Sequence, residues 1–265
     1  MLNKNKFTVV CPTYNSAHFV APAIESVLIQ ELLPEELILI DDGSTDSTLE
    51  VLNEIKANYN GPVEIIIQHC DHRGPGAARN KGIVFAKSNW IAFLDSDDLW
   101  YTNKLLEMNK VINENSEINI LCHSENYVQL NKEKRVLHYG KHIKKELVFK
   151  KSLYRINSFS TSATICNKEL LLQHGMFDEN LMSSQDYELW LRLAPNMKPY
   201  FSDCVLGEYF ERDGNISTTK SFLRLKNMLI IYFRYRAYDS ITRFLYQSIY
   251  IIAYFVYRFF RRAKR

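Results

Sequence analysis

Two acidic clusters and one acidic helix start hold the residue types with which this chain could do chemistry. Asp95-Ser96-Asp97 places two carboxylates two residues apart, directly after the apolar run Trp90 to Leu94. Carboxylates at the end of a buried strand are costly without a counter-charge. A hard divalent cation that shares its shell with phosphate oxygens suits one or two of them, and it helps a diphosphate to leave. Asp97 and Asp98 would also suit the N-terminus of a following helix. Asp41-Asp42-Gly43-Ser44 follows a second apolar run, Leu37 to Ile40. One of its carboxylates could accept from a base N–H or a ribose hydroxyl, or the cluster could be a turn with a cap at Gly43, Ser44 and Asp46. In Arg73-Gly74-Pro75-Gly76-Ala77-Ala78-Arg79-Asn80 the glycines resemble a phosphate loop, but Arg79 stands where a dinucleotide fingerprint has its third glycine. Arg79 and nearby backbone N–H groups could meet an anion there, or Arg79 could lie on a solvated helix face. Asp186, in Ser184-Gln185-Asp186-Tyr187-Glu188-Leu189-Trp190, sits at or near a helix start. It could be an N-cap, or a general base beside a cleft. His69-Cys70-Asp71-His72 has metal-ligand types, but no partner set is evident to complete a tetrahedral site.

The elements around these residues alternate. Strands are expected at Phe7 to Cys11, Leu37 to Ile40, Val63 to Ile67 and Trp90 to Leu94, with helices at Ala17 to Gln30, Leu49 to Asn58 and from Gly76 through Ala86. Ser47-Thr48-Leu49-Glu50 has the capping-box pattern. Apolar, non-alternating strands separated by helices read as an α/β fold, a mostly parallel sheet with helices on both faces. In such sheets ligands bind beyond the carboxyl ends of the strands. Pro12 to Asn15, Asp41-Asp42 and Asp95 to Asp97 should therefore meet in one crevice. The second half is less regular. Leu105 to Val111 and Gln185 to Leu193 read as helices, Ile118 to Cys122, Asn126 to Leu130 and Ser160 to Cys166 as strands, and Pro199 to Phe210 as one or two strands. The lysine-rich stretch Asn131 to Lys151 reads as a loop or mobile segment.

The 265 residues, 46% hydrophobic and 24% charged, have the composition of a soluble globular protein. That excludes a disordered chain and a multi-span membrane protein. Five cysteines at 11, 70, 122, 166 and 204, without a CxxC spacing, are neither a disulfide framework nor a zinc ribbon, and they favour a reducing compartment. No apolar leader precedes the first strand, so a cytoplasmic location is expected.

The motifs Pro12-Thr13-Tyr14-Asn15, Asp41-Asp42-Gly43-Ser44-Thr45-Asp46, Ala78-Arg79-Asn80-Lys81-Gly82, Phe93-Leu94-Asp95-Ser96-Asp97-Asp98 and Gln185-Asp186-Tyr187-Glu188-Leu189-Trp190 resemble, in this order, those of family-2 glycosyltransferases of the GT-A fold, over residues 6 to 217. The resemblance implies a Rossmann-like domain over 1–220. It implies metal-dependent, inverting transfer of a sugar from a nucleotide-diphosphate donor, UDP by family habit, to a hydroxyl of a glycan or lipid-linked acceptor in bacterial surface-polysaccharide assembly. Pro12, Thr13, Tyr14, Asn15 and Asp42 would hold the nucleotide, with Asp42 at the N–H edge of the base. Arg79 would lie near the base or phosphates, with Arg73 as a possible substitute. Asp95 and Ser96 would sit by the ribose and the metal shell, Asp97 would ligate Mg²⁺ or Mn²⁺, and Asp186 would be the general base. Many relatives carry an Arg-x-His segment after the base helix. The matching stretch here, Glu211-Arg212-Asp213-Gly214-Asn215-Ile216-Ser217, has no histidine.

Residues 221–265 carry ten Lys/Arg, one acidic residue (Asp239) and 13 aromatic side chains; the other 220 residues carry 23 basic and 29 acidic ones. Phe244 to Tyr257 is about 14 residues of mainly apolar sequence, short of the roughly 20 that span a bilayer. Tyr246, Tyr250, Tyr254 and Tyr257 follow helical spacing, and basic residues come after. A helical tail that contacts the membrane interface peripherally through 240–265, at the inner face of the cell membrane, is expected. Packing on the enzyme or a dimer contact is the other reading, and nucleic acid is disfavoured by the acidic body. Two further function classes are a sugar nucleotidyltransferase and an inactive nucleotide-binding scaffold. The first would show a glycine-rich basic loop where Pro12-Thr13-Tyr14-Asn15 stands. The second would be free to lose Asp95, Asp97 and Asp186.

Overall fold

The computed structural model describes residues 5–129, 132–144, 147–211 and 221–263. Four parallel strands build the first half: β1 (Phe7–Thr13), β2 (Glu36–Asp41), β3 (Glu64–His69) and β4 (Trp90–Phe93). They are joined by α1 (Val20–Leu28), α2 (Thr48–Asn58) and α3 (Pro75–Phe85). Val9, Cys11, Leu37 and Leu39 enter one core, and Val10, Ile38 and Ile40 enter the core on the opposite face. Burial on both faces is why these strands are continuous apolar runs in the sequence. Helix α3 lies so close to β1 that a Cβ on Gly82 would collide with Val10.

The strand register sets where the polar ends fall. Thr13 pairs with Asp41, and Asp41 with His69, so β1, β2 and β3 end together. Strand β4 ends earlier, with Phe93 opposite Val10. The chain then turns, the Asp98 N–H donating to the Asp95 carbonyl at 3.1 Å. Asp95 to Asp97 therefore lie beside the end of β1.

The second half adds β5 (Leu99–Trp100), α4 (Lys104–Glu114), β6 (Ile120–Gln129), β7 (Arg135–Leu137), α5 (Phe149–Arg155), β8 (Thr164–Asn167), α6 (Lys168–Gln173), α7 (Gln185–Leu193) and β9 (Pro199–Glu211). The sheet order is β3-β2-β1-β4-β8-β6-β9-β5, with β7 on the side of β6. Strand β8 runs antiparallel to β4 and β6, and β6 runs parallel to β9. The expected α/β architecture is what forms.

Three local expectations need correction. Ile118 to Cys122 and Asn126 to Leu130 are not two strands. One strand, β6, runs through the polar residues because β9 pairs with it along its length, with register shifts at His123/Ser124 and Ser124/Asn126; Leu130 lies outside the described residues. The stretch Asn131 to Lys151 is not simply a loop. It holds β7, paired on β6, a 3-10 turn at Tyr139–His142 and the start of α5. The capping box before α2 does not form: Ser47 makes no side-chain cap bond, and Asp46 Oδ1 accepts from the Thr48 N–H at 3.0 Å instead.

The tail forms α8 (Ser221–Arg234) and α9 (Ile241–Ala263). Ile231, Tyr232 and Tyr235 join the larger core. The Tyr154 hydroxyl donates to the Tyr232 carbonyl at 3.1 Å, and Gln247 Nε2 donates to the Tyr154 carbonyl at 2.7 Å. One face of α9 thus packs on the body. The opposite face exposes Ile241, Leu245, Ile249 and Val256, along with Tyr246, Tyr250 and Tyr257. Among the described residues no helix is long and apolar enough to cross a membrane.

Candidate active site

Asp41 and Asp42 follow each other in the chain and do different things. Asp41 is fully buried, takes the Ser44 hydroxyl, and pairs with His69 Nδ1 at 2.7 Å. It is the turn-holding residue. Asp42 lines a cavity, and its oxygens accept the N–H groups of Arg73 and Gly74, each at 2.8 Å. Gly74, at φ 90°, is the residue just before α3 and lets its N–H point at Asp42. The two acceptor lone pairs on each oxygen leave Asp42 capacity for a ligand N–H.

His72 stands in the sequence only within His69-Cys70-Asp71-His72. It pairs with Asp42 at 2.9 Å and stacks on Tyr14, ring centroids 4.1 Å apart. The two histidines of that cluster thus go to different carboxylates. Tyr14, 45% exposed, and His72 together make an aromatic wall of the cavity. Nothing in the sequence puts these two rings together; the β1–β2–β3 register does.

Arg79 projects inward from α3 and is 4% exposed, so it is not on a solvated face. It pairs with Asp95 and lies over the Phe177 ring, 5.4 Å from its centroid. Its Nε and Nη1 are buried and find no partner among the described residues. Arg73 turns away and pairs with Glu179 at 2.8 Å.

The Asp95–Asp98 turn is held by Ser162, just before β8. The Asp95 N–H donates to Ser162 Oγ at 3.0 Å, and that hydroxyl donates to Asp98 Oδ2 at 2.5 Å. Asp98 Oδ1 accepts the Phe210 N–H at 3.0 Å. Asp98 therefore caps no helix; it locks the turn onto β9. Burial, with Asp97, Glu125 and Asp95 nearby, pushes its carboxyl well above the usual range. Asp95, Ser96 and Asp97 line the cavity. Among the described residues no three His, Cys, Asp or Glu gather as a metal cage. The donors that do stand at the turn are hard carboxylate oxygens, which fit Mg²⁺ or Mn²⁺ sharing its shell with phosphate.

Ser184, in the left-handed region at φ 58°, is the residue before α7, so Asp186 is not the N-cap. It lies in the first turn and lines the cavity from the side of α7. Burial raises its carboxyl pKa, against the Tyr187 N–H and Arg79, which lower it. The cavity measures about 520 Å³ and gathers Pro12, Thr13, Tyr14, Asp42, Arg79, Asp95, Ser96, Asp97 and Asp186. Asn15 is the exception. Its Oδ1 accepts the Thr45 N–H at 2.8 Å, tying the loops after β1 and β2 together outside the cavity. Arg212 and Asp213 lie outside the described residues.

Residues 8–175 match the family model of glycosyl transferase family 2. The chain belongs to that family. An uncharacterized glycosyltransferase of Rickettsia conorii, RC0461, is 34% identical over 202 residues, covering 73% of this chain and 31% of the relative. The minor teichoic acid biosynthesis protein GgaA of Bacillus subtilis is 28% identical over 273 residues, 96% of this chain and 60% of GgaA. The chain thus spans about a third of the first relative's length. Among solved structures, S. aureus TarS 1-349 in complex with UDP-GlcNAc superposes with a TM-score of 0.67 at 21% identity, covering 86% of this chain and 66% of TarS 1-349. The mannosyltransferase PcManGT from Pyrobaculum calidifontis, in complex with GDP-Man and Mn2+, also gives 0.67, at 16% identity, covering 96% of this chain and 70% of PcManGT. These likenesses establish the GT-A glycosyltransferase fold.

Proposed function

We propose that this family-2 domain transfers a sugar, with inversion, from a nucleotide-diphosphate donor to an acceptor hydroxyl of a surface polymer or its lipid-linked precursor. The observation that carries the proposal is the convergence of Asp42, Arg79, Asp95, Asp97 and Asp186 on one cavity. Tyr14, His72 and Asp42 would receive the base, and Asp95 and Ser96 the ribose side. Arg79, with unpaired buried donors, would meet diphosphate oxygens, removing the cost of leaving those hydrogens unbonded. Asp97 with Asp95 would hold Mg²⁺ or Mn²⁺, which supplies charge stabilisation of the leaving diphosphate. Asp186 would take the acceptor proton as the acceptor oxygen bonds to the anomeric carbon and the bond to the diphosphate breaks. A carboxyl with a raised pKa is a better proton acceptor than an ordinary one. The names of relatives support this reading: TarS was solved with UDP-GlcNAc, PcManGT with Mn2+, and GgaA is a teichoic acid protein. The exposed apolar and tyrosine face of α9 would rest on a membrane surface, near a lipid-linked acceptor.

The test is calorimetry of UDP, GDP and dTDP, with and without Mn²⁺, on wild type and Asp97→Ala. One nucleotide should bind in a metal-dependent way that Asp97→Ala abolishes. Absence of binding under every condition would reject the catalytic reading, and binding without transfer to any acceptor would favour the nucleotide-binding scaffold.

A further inference from the structure

We propose that Lys104 is a positioning residue for the acidic turn, acting through Ser162 to hold Asp95 and Asp97 in the pose that receives the divalent cation. The proposal rests on the metal reading above and names a residue which that reading does not use. Lys104 opens α4, is fully buried and does not line the cavity. An amine is costly in such a place unless its donors are used. Its Nζ donates to the Ser162 carbonyl at 2.6 Å and lies 3.5 Å from the centre of the Trp100 ring. Trp100 Nε1 donates to the same carbonyl at 3.0 Å.

Ser162 thereby collects bonds from one short stretch of chain. Its hydroxyl accepts the Asp95 N–H and donates to Asp98, while its carbonyl accepts from Trp100 and Lys104. The hydroxyl fixes the turn, and the two carbonyl bonds fix the backbone that carries the hydroxyl. Asp97 sits between Asp95 and Asp98, so a shift of Ser162 moves both ends of the segment that presents it. Burial lowers the Lys104 pKa well below its usual value, against Glu125, Cys122 and Asp98, which raise it. An amine donates a hydrogen bond in either protonation state, so the contact with Ser162 does not depend on charge. An apolar side chain of the same length would avoid the desolvation cost, but it would leave the Ser162 carbonyl to Trp100 alone. Groups that orient metal ligands from behind are worth roughly 10–100-fold in metal affinity. A purely electrostatic role would have the opposite sign: as a positive charge, Lys104 would repel the cation, and its removal would tighten metal binding.

The experiment is a Mn²⁺ titration followed by electron paramagnetic resonance, at a fixed UDP concentration, on wild type, Asp97→Ala, Lys104→Met, Ser162→Ala and the double variant Lys104→Met with Ser162→Ala. Wild type should bind Mn²⁺ and Asp97→Ala should not. Lys104→Met should bind it about tenfold more weakly. Its melting temperature should stay close to that of wild type, since Trp100 still serves the Ser162 carbonyl. Ser162→Ala, which removes one hydroxyl, should lose at least as much affinity. The double variant should bind no more weakly than Ser162→Ala, because Lys104 acts through Ser162. Unchanged or tighter Mn²⁺ binding by Lys104→Met would overturn the proposal, as would full affinity in Ser162→Ala. Losses that simply add in the double variant would also overturn it. No Mn²⁺ binding by wild type, or binding that Asp97→Ala leaves intact, would instead reject the metal reading and this proposal with it.

Discussion

Asn227 of α8 donates both to the Ser183 carbonyl, at 3.0 Å, and to Ser183 Oγ, at 3.1 Å, three residues before Asp186. Asn227 is buried, so the amide has no water to fall back on. The end of the same helix reaches α7 again through Arg234 and the following Tyr235, both on Glu188. The segment that resembles an appended tail in sequence therefore braces the turn that aims the candidate base.

Asn227→Ala should lower stability by about 1–3 kcal/mol, the cost of leaving buried Ser183 groups unpaired. It should also lower kcat while leaving the donor KM unchanged, because the side-chain hydrogen bonds of Asn227 go to Ser183, in the segment before Asp186. Steady-state kinetics at saturating acceptor checks this. A change confined to melting temperature would leave Asn227 a structural residue only.

Asp186→Asn should reduce transfer roughly 10²–10⁴-fold, the usual worth of a general base, with nucleotide affinity intact. In wild type, activity should rise with pH through an apparent pKa above the ordinary carboxyl value of 3.8, because burial raises this group. A raised folded-state pKa means that the charged carboxylate costs stability at neutral pH, and the cost disappears below the unfolded value. The Asn variant should therefore melt no lower than wild type at pH 7. A lower melting temperature would contradict the desolvation assigned here.

Asp239 behaves in the opposite way. Burial opposes its charge, but Arg155, the Ser240 N–H and Lys151 outweigh it and lower its pKa to about 2. Its stabilising effect should be complete above about pH 4 and vanish as pH falls toward 2. Comparing urea unfolding of wild type and Asp239→Asn across this range tests it: the gap should be wide at pH 7 and close on acidification.

Gly82→Ala should cost about 1–3 kcal/mol, since the new methyl would overlap Val10 of β1 and α3 would have to move outward. Arg79 rides on α3, so metal-dependent nucleotide affinity should fall as well. Chemical denaturation and calorimetry on one preparation separate the two effects.

The sequence by itself determined the parallel half of the fold and most of the site. Two-sided burial writes β1 to β4 as apolar runs, and the polar clusters must follow because strand ends in such a sheet face the ligand side. Helix α7 is also local: its apolar positions mark Gln185 to Leu193 without help from distant residues. What residue types and spacing could not decide, and only the family resemblance suggested for Asp42, was which member of a polar cluster faces the cavity. Asp41 and Asp42 are chemically identical neighbours, and only strand pairing sends one to Ser44 and His69 and the other to the cavity. The same holds for His72 stacked on Tyr14, and for Asn15, which ties two loops instead of lining the site. The tail shows the limit most clearly. Its spacing of four is visible in Arg224, Met228 and Tyr232, but periodicity only places residues on one face of a helix. What the helix meets depends on contacts across more than forty residues of chain, such as Asn227 with Ser183, and those arise only when the whole chain has folded.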